Sequence, residues 1–245
     1  MILKKSLLLA AVLCSHLIPA ANADDVKPSL QKPTIYENKD VVLLPAAAML
    51  AINKNGKFAI ISDTGRFIIQ GTVYDVWQQK ELKTIEDARF AANYVPIDKT
   101  DLGFDDLAPI SIGNGSKAIT MFSDPACSFC KEIMQEARES LPEGYRLDVL
   151  MLPLLGPESM KRTREIHCAK DEAAAWKVAV TGDMKTQLAQ KPDADCSMEI
   201  IGKRRMTAQF LGARNVPFLI RDDGLTRQGK PEQGLRAWIE QNRIR

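Results

Sequence analysis

Two cysteines separated by two residues carry the clearest chemistry in this sequence. They form the segment Cys127-Ser128-Phe129-Cys130, which follows an apolar run and begins a helical pattern. The N–H groups and the dipole of a helix N-terminus stabilise a thiolate, so Cys127 is expected to be a nucleophile at neutral pH. One helical turn later, Cys130 is placed to attack a mixed disulfide formed by Cys127. The spacing therefore predicts a redox-active dithiol, with Cys127 as the attacking sulfur and Cys130 as the buried resolving sulfur.

Two other interpretations of this segment are a zinc half-site and an inert disulfide. A zinc site needs two more ligands, and the candidates His167, Cys168 and Cys196 form no second Cys-x-x-Cys pair. We therefore expect no metal ion, and the proposed thiol chemistry needs no organic cofactor. Before the motif, Asp124 is a candidate cap for the helix.

The N-terminus has the pattern of a secretory signal peptide over residues 1–23. Lys4 and Lys5 precede an apolar stretch, and Ala21-Asn22-Ala23 offers small residues for cleavage after Ala23. The apolar stretch is shorter than the roughly 20 residues of a spanning helix, so we expect no stable membrane insertion after cleavage. Lys4 and Lys5 also account for the whole difference between 33 Lys and Arg and 31 Asp and Glu. The remaining chain has no net charge, which disfavours a nucleic-acid partner.

If the chain is exported, its cysteines are expected to form disulfides, because disulfides persist in oxidising compartments. Cleavage removes Cys14 and leaves an even number, four. The short step from Cys127 to Cys130 makes these two a pair, which leaves Cys168 with Cys196 as a structural disulfide.

The remaining chain divides into three predicted parts. Residues 24–82 form a small, mainly β domain, in which the apolar runs Phe58–Ile61 and Phe67–Ile69 predict a hairpin and Val73–Trp77 extends it or adds a strand. Its core is small and its edge strands lack a partner, which favours dimerisation. Residues 83–112 are a linker helix, capped by Thr84, and a connector.

Residues 113–245 form the third part, for which we predict an α/β domain within a protein that is α+β overall. The expected strands are 118–122, 146–152, 216–220 and 225–228, and the expected helices are 127–140, 158–180, 198–211 and 233–243. This order fits a thioredoxin-like catalytic domain with a helical insertion. Pro217 opens a strand where thioredoxin-like proteins carry a cis-proline; the alternative is an ordinary trans proline.

With these segments in view, the chain resembles the periplasmic disulfide isomerases of the DsbC/DsbG type. The segment from Ile61 to Val76 is similar to their dimerisation domain, and the segment from Phe122 to Cys130 is similar to their active-site segment. Cys168 and Cys196 fall where the DsbC branch has a second, structural disulfide. The resemblance implies a periplasmic homodimer with two active sites facing a shared cleft. It also implies reduction by a membrane thiol reductase of the DsbD type.

Two positions depart from this family pattern. Ser128-Phe129 stands where the relatives have Gly-Tyr or Pro-Tyr, and Val216 stands where they have threonine. We expect Ser128, Phe129, Val216 and Pro217 to contact substrate, with the Val216 side chain lying against Cys127. The predicted function is reduction and reshuffling of incorrect disulfides in misfolded or mis-oxidised secreted proteins. A net thiol oxidase of DsbA-like character and a holdase chaperone using the dimer cleft are the alternatives.

Overall fold

A computed structural model describes residues 39–243, apart from residues 47 and 101. The chain divides after Thr34, and every described residue belongs to the second unit. The predicted signal peptide and residues 24–38 of the predicted N-terminal domain lie outside the described residues, and the signal peptide stays a prediction. Within the described range, no helix is long and apolar enough to cross a membrane.

A four-stranded antiparallel sheet opens the described chain. Its strands follow chain order: β1 (Val41–Leu43), β2 (Met49–Lys54), β3 (Lys57–Ser62) and β4 (Ile68–Ile69). The hairpin expected from the sequence is present, because β3 and β4 pair with Ile60 opposite Ile69. Ile60 is buried in a small core, whereas both residues of the edge strand β4 are exposed.

A separate two-stranded ribbon and a helix follow this sheet. The ribbon pairs β5 (Val73–Asp75) with β6 (Lys80–Leu82), so the run from Val73 neither extends β4 nor joins the first sheet. Helix α1 spans Ile85–Asn93, and its predicted N-cap is confirmed. The Asp87 N–H donates to Thr84 Oγ1 (3.1 Å), and the Thr84 N–H donates to Asp87 Oδ2 (3.0 Å).

The rest of the described chain is built around a five-stranded mixed sheet. Its strands are β7 (Ile110–Ile112), β8 (Lys117–Ser123), β9 (Tyr145–Met151), β10 (Phe218–Ile220) and β11 (Thr226–Gln228), in the spatial order β11-β10-β8-β9-β7. The central strands β8 and β9 are parallel, and the other pairs are antiparallel. Strand β7 lies in the segment that the sequence predicted to be a connector, so the sheet begins three residues before position 113.

In the described part of the chain, five further α-helices accompany this sheet, besides short 3-10 helices at Phe104–Leu107 and Asp193–Asp195. The α-helices are α2 (Ser128–Ser140), α3 (Pro157–His167), α4 (Glu172–Thr181), α5 (Glu199–Phe210) and α6 (Leu235–Glu240). The single helix predicted over 158–180 is wrong, because the chain breaks between α3 and α4. Asp171 caps α4 by accepting from the Ala173 and Ala174 N–H groups, and Lys170 N–H bonds to the carbonyl of Ala189. A distant segment thus satisfies the backbone that a continuous helix would have used.

The two faces of the five-stranded sheet bury different cores. Along β9, Leu147 and Val149 point into one core, which includes residues of α2, α4 and α6, while Leu150 points into the other, which includes residues of α5. This alternation follows from the two-residue side-chain period of a strand. Strand β8 is buried over its last five residues and ends at Ser123, four positions before Cys127. The buried strand therefore fixes where the Cys-x-x-Cys segment begins.

The turn between β10 and β11 meets the segment after α1. Gly224 has a φ of 90° and its carbonyl accepts from the Val95 N–H at 2.8 Å. A Cβ at this glycine would lie 2.0 Å from the Val95 carbonyl oxygen, so only glycine fits here.

Candidate active site

The two cysteines lie at the junction between β8 and α2. Cys127 is the N-cap of α2, and its Sγ accepts a hydrogen bond from the Cys130 N–H at 3.2 Å. Cys127 is 7% exposed to solvent, whereas Cys130 is fully buried. Neither forms a disulfide in the structure. Both cysteines are thus largely buried, and only Cys127 keeps a small exposed fraction.

The environment separates the pKa values of the two thiols. A hydrogen bond from the Cys130 side chain, helped by the N–H groups of Cys130 and Phe129, lowers the pKa of Cys127 from 9.0 to about 7. Burial and the negative charge of Asp124 oppose this change. The same side-chain hydrogen bond, together with burial, raises the pKa of Cys130. Near neutral pH, Cys127 is therefore the group that supplies a thiolate.

Asp124 is a fully buried carboxylate immediately before the motif. It does not cap α2 as expected, because Cys127 occupies the cap. Instead, Asp124 Oδ1 accepts from the Ala126 N–H (2.7 Å), and Oδ2 accepts from the N–H groups of Leu154 (2.6 Å) and Leu155 (2.8 Å) and from the hydroxyl of Ser159. This one side chain ties the turn before Cys127 to the segment after β9 and to α3.

The predicted proline lies across from Cys127. The Val216–Pro217 peptide bond is cis, and the Cys127 thiol donates a long hydrogen bond of 3.8 Å to the carbonyl oxygen of Val216. The side chain of Val216 packs against the second core of the sheet. The hydrogen bond between Cys127 and Val216 thus uses a backbone carbonyl that any residue at position 216 would supply, and the predicted contact of the Val216 side chain with Cys127 stays a prediction.

The two residues between the cysteines face outward. Ser128 is exposed, and Phe129 keeps 56% of its exposure. Leu154 and Leu155, which sequence reasoning did not select, are 43% and 56% exposed and are held beside the motif by Asp124. Their positions come from a contact 30 residues away in the chain, and no local pattern in the sequence indicates it.

The second cysteine pair lies away from this junction. Cys168 ends α3 and is joined by a disulfide to Cys196, which precedes α5. The neighbouring His167 Nε2 lies 2.9 Å from the carbonyl oxygen of Ser197. The bond therefore connects the two ends of the helical insertion.

Comparison with known proteins agrees with this geometry. A family model described as a thioredoxin-like domain matches residues 106–241, which is more than half of the chain. This chain belongs to the thioredoxin-like family. The matched residues include both cysteine pairs and the cis-proline.

Curated relatives extend the likeness to nearly the full length. The chain is 23% identical to the thiol:disulfide interchange protein DsbC of Dickeya dadantii over 243 residues, covering 97% of this chain and 96% of the relative. It is also 23% identical to DsbC of Escherichia coli strain K12, covering 91% and 90% of the two chains. The resemblance to DsbC is thus confirmed, and the chain is a thiol-disulfide oxidoreductase.

Among solved structures, a disulfide interchange protein from Neisseria gonorrhoeae matches with a TM-score of 0.45 and 23% identity. The match covers 57% of this chain and 99% of that chain.

Proposed function

We propose that this oxidoreductase isomerises incorrect disulfides in misfolded or mis-oxidised secreted proteins, with Cys127 as the nucleophile and Cys130 as the resolving thiol. One observation carries the proposal. Cys127 caps α2 with its sulfur 3.2 Å from the Cys130 N–H, and its pKa is lowered to about 7. An isomerase needs a nucleophile that is ionised at neutral pH and also a good leaving group.

The first step is attack by the Cys127 thiolate on one sulfur of a substrate disulfide. The substrate S–S bond breaks, a mixed disulfide with Cys127 forms, and the second substrate sulfur leaves as a thiolate. Another substrate thiolate then attacks the mixed disulfide and makes a new substrate S–S bond. Cys127 returns as a thiolate, so the cycle has no net oxidation or reduction.

Cys130 provides a second exit from the mixed disulfide. After losing its proton, it attacks Cys127 Sγ, and the substrate leaves reduced for another attempt at pairing. Burial of Cys130, one of the causes that raise its pKa, disfavours its thiolate and so slows this second exit relative to the first. The Cys127–Cys130 disulfide must then be reduced by an external dithiol, for which we propose a membrane thiol reductase of the DsbD type.

We propose that the substrate lies across the surface beside Cys127. Ser128 and Phe129 border this surface on one side, and Val216 and Pro217 border it on the other. The exposed aromatic ring of Phe129 offers apolar contact to unfolded segments. The Val216 backbone, within reach of Cys127 Sγ, is placed beside the chain that carries the mixed disulfide.

The cellular setting and assembly are part of the same proposal. Cleavage after Ala23 would deliver the chain to the periplasm, where residues 24–82 form a homodimer, residues 83–112 the linker and residues 113–245 the catalytic part. Exposed apolar side chains of the first sheet support the dimer: Phe67, Ile68 and Ile69 are 61%, 59% and 44% exposed.

Refolding of scrambled ribonuclease in a glutathione buffer tests the proposal. The wild-type protein should restore activity catalytically, Cys127→Ser should not, and Cys130→Ser should retain part of the activity while accumulating mixed disulfides. A protein that only oxidises reduced ribonuclease, without rescuing the scrambled form, contradicts isomerisation and favours the oxidase.

A holdase chaperone is the second candidate, because exposed apolar side chains flank the dithiol: Phe129 lies between the two cysteines, and the N–H groups of Leu154 and Leu155 bond to Asp124. Aggregation of a reduced, disulfide-free client in the presence of the Cys127→Ser/Cys130→Ser double variant separates the two functions. Full suppression by this variant, with no catalysis by the wild type, would favour the holdase.

A further inference from the structure

A cavity of about 420 Å³ lies between helices α3, α4 and α5 and the edge of the five-stranded sheet. Its volume falls within the range of small-molecule sites. None of the residues that bond to Asp124 or to the two active-site thiols lines it. The cavity is therefore separate from the proposed active site.

Arg204 on α5 lines this cavity and is only 4% exposed. Its guanidinium donates to the carbonyl oxygens of Leu107 (2.8 Å), Ala108 (2.6 Å) and Met151 (3.3 Å). An arginine has five N–H donors, so two remain beyond these three bonds. Among the described residues no carboxylate forms an ion pair with Arg204. A buried cation without a counter-ion is costly, and burial lowers the Arg204 pKa to about 10.

A second polar group in the same cavity also lacks a partner. Thr163 on α3 is 1% exposed, and its Oγ1 has no hydrogen-bond partner. A buried hydroxyl normally finds one, so an unpaired one suggests a missing ligand atom or water. Among the described residues, the cavity thus holds a buried guanidinium without an ion-pair partner and a hydroxyl without a hydrogen-bond partner.

The rest of the lining limits the chemistry of a ligand. Lys191 adds a positive charge and Glu172 a negative one, so with Arg204 the charged lining carries one net positive charge. The other walls are mainly apolar and include the side chains of Ile110, Met151, Ile166 and Trp176. A matching ligand has a single negative charge and an apolar body.

We propose that this cavity binds a small monocarboxylate with an apolar chain, whose head group pairs with Arg204 and accepts a hydrogen bond from Thr163. The carboxylate supplies the counter-charge that Arg204 lacks. The apolar chain lies along the walls near Trp176, whose indole N–H already donates to the Ser111 carbonyl at 2.8 Å.

Calorimetric titration of the full-length protein with octanoate tests this site. Octan-1-ol has the same chain without the charge, and acetate has the charged head group without the chain. We expect saturable binding of octanoate, with at least tenfold weaker binding of either control. Binding should also change tryptophan fluorescence, and Trp176→Phe should remove that change.

Two conservative variants keep the test independent of folding. Thr163→Val preserves side-chain shape, and loss of one hydrogen bond should weaken octanoate binding about fivefold. Lys191→Met should weaken it too, whereas Lys177→Met, an exposed change on α4 outside the cavity, should not. Equal binding of octan-1-ol, or unchanged affinity in Thr163→Val, overturns the proposal. Disulfide exchange activity is not expected to change in these variants, so this test stands apart from the proposed function.

Discussion

At the scale of single residues, the reactivity of Cys127 depends on a balance of local interactions. Hydrogen bonds from Cys130 and the start of α2 stabilise the thiolate, while burial and the charge of Asp124 destabilise it. The resulting pKa of about 7 is well below the usual value of a thiol. Cys130 lies only one helical turn further along the chain, yet the hydrogen bond that it shares with Cys127 and its own burial raise its pKa.

We expect alkylation of the reduced protein to follow the ionisation of Cys127. The iodoacetamide rate should fall about tenfold per pH unit below pH 7 and level off above pH 8, because only the thiolate reacts. Mass mapping should place the label on Cys127 and not on buried Cys130. A rate that keeps rising up to pH 9 would show that the Cys127 pKa is not lowered.

The Cys127 pKa also makes folding stability depend on pH. Because the folded pKa is below the unfolded value of about 9, this group stabilises the reduced protein at high pH, and the contribution is lost as pH falls from about 9 to about 7.

Replacement of Asp124 by asparagine separates its charge from its hydrogen bonds. Removal of the charge should lower the Cys127 pKa below that of the wild type, because Asp124 raises it. Asparagine has only one acceptor oxygen, so at least one of the four groups that donate to Asp124 loses its acceptor, and the free energy of unfolding should fall by about 1–3 kcal/mol.

Thiolate absorbance near 240 nm and urea unfolding measure these two effects. Asp193→Asn, which changes an exposed carboxylate near Arg164, serves as the control and should alter neither. An unchanged or higher Cys127 pKa in Asp124→Asn would contradict the electrostatic role.

At the scale of elements, the helical insertion depends on a covalent link between its ends. Helices α3 and α5 are separated by α4 and by an irregular segment, and the Cys168–Cys196 disulfide closes the loop between them. Replacement of both cysteines by alanine should lower the free energy of unfolding by about 3–4 kcal/mol, because the unfolded chain regains the freedom of a loop of about 29 residues.

Urea unfolding of the Cys168→Ala/Cys196→Ala variant checks this value, with the wild type under non-reducing conditions as reference. The Cys127 pKa should stay near 7 in the variant, because its determinants lie at the start of α2. A shifted pKa would show that the insertion positions the active site as well.

At the scale of the whole molecule, the first sheet and the ribbon that follows it carry apolar side chains that the described chain leaves exposed. The residues are Phe67 and Ile68 on or beside β4 and Tyr74 and Val76 on or after β5, and each is more than half exposed. An edge strand with apolar side chains is a pairing surface for a second copy.

Light scattering should therefore show a dimer of the leader-free protein. Ile68→Lys should produce monomers by placing a charge in the interface, whereas Met206→Lys, at a position 68% exposed on α5, should leave the dimer intact. A monomeric wild-type protein, or dissociation by both variants alike, contradicts assembly through the first sheet.

Several features were predictable from the sequence because they depend on residues close together in the chain. The dithiol at the start of α2, the hairpin of β3 and β4 and the capping box at Thr84 each involve neighbours within a few positions or one tight turn. Such patterns report local backbone geometry directly. The family resemblance rests on the same short segments.

Other features were decided only by tertiary structure, because their partners are far apart in the chain. Asp124 looked like a local cap, yet its donors include N–H groups 30 and 31 residues away. The break between α3 and α4 depends on the backbone bonds from the Lys170 N–H to Ala189 and from the Lys191 N–H to Cys168, and the place of β7 depends on pairing with β9. Periodicity cannot reveal such contacts, since sheet register and helix packing bring these groups together only after the chain has folded.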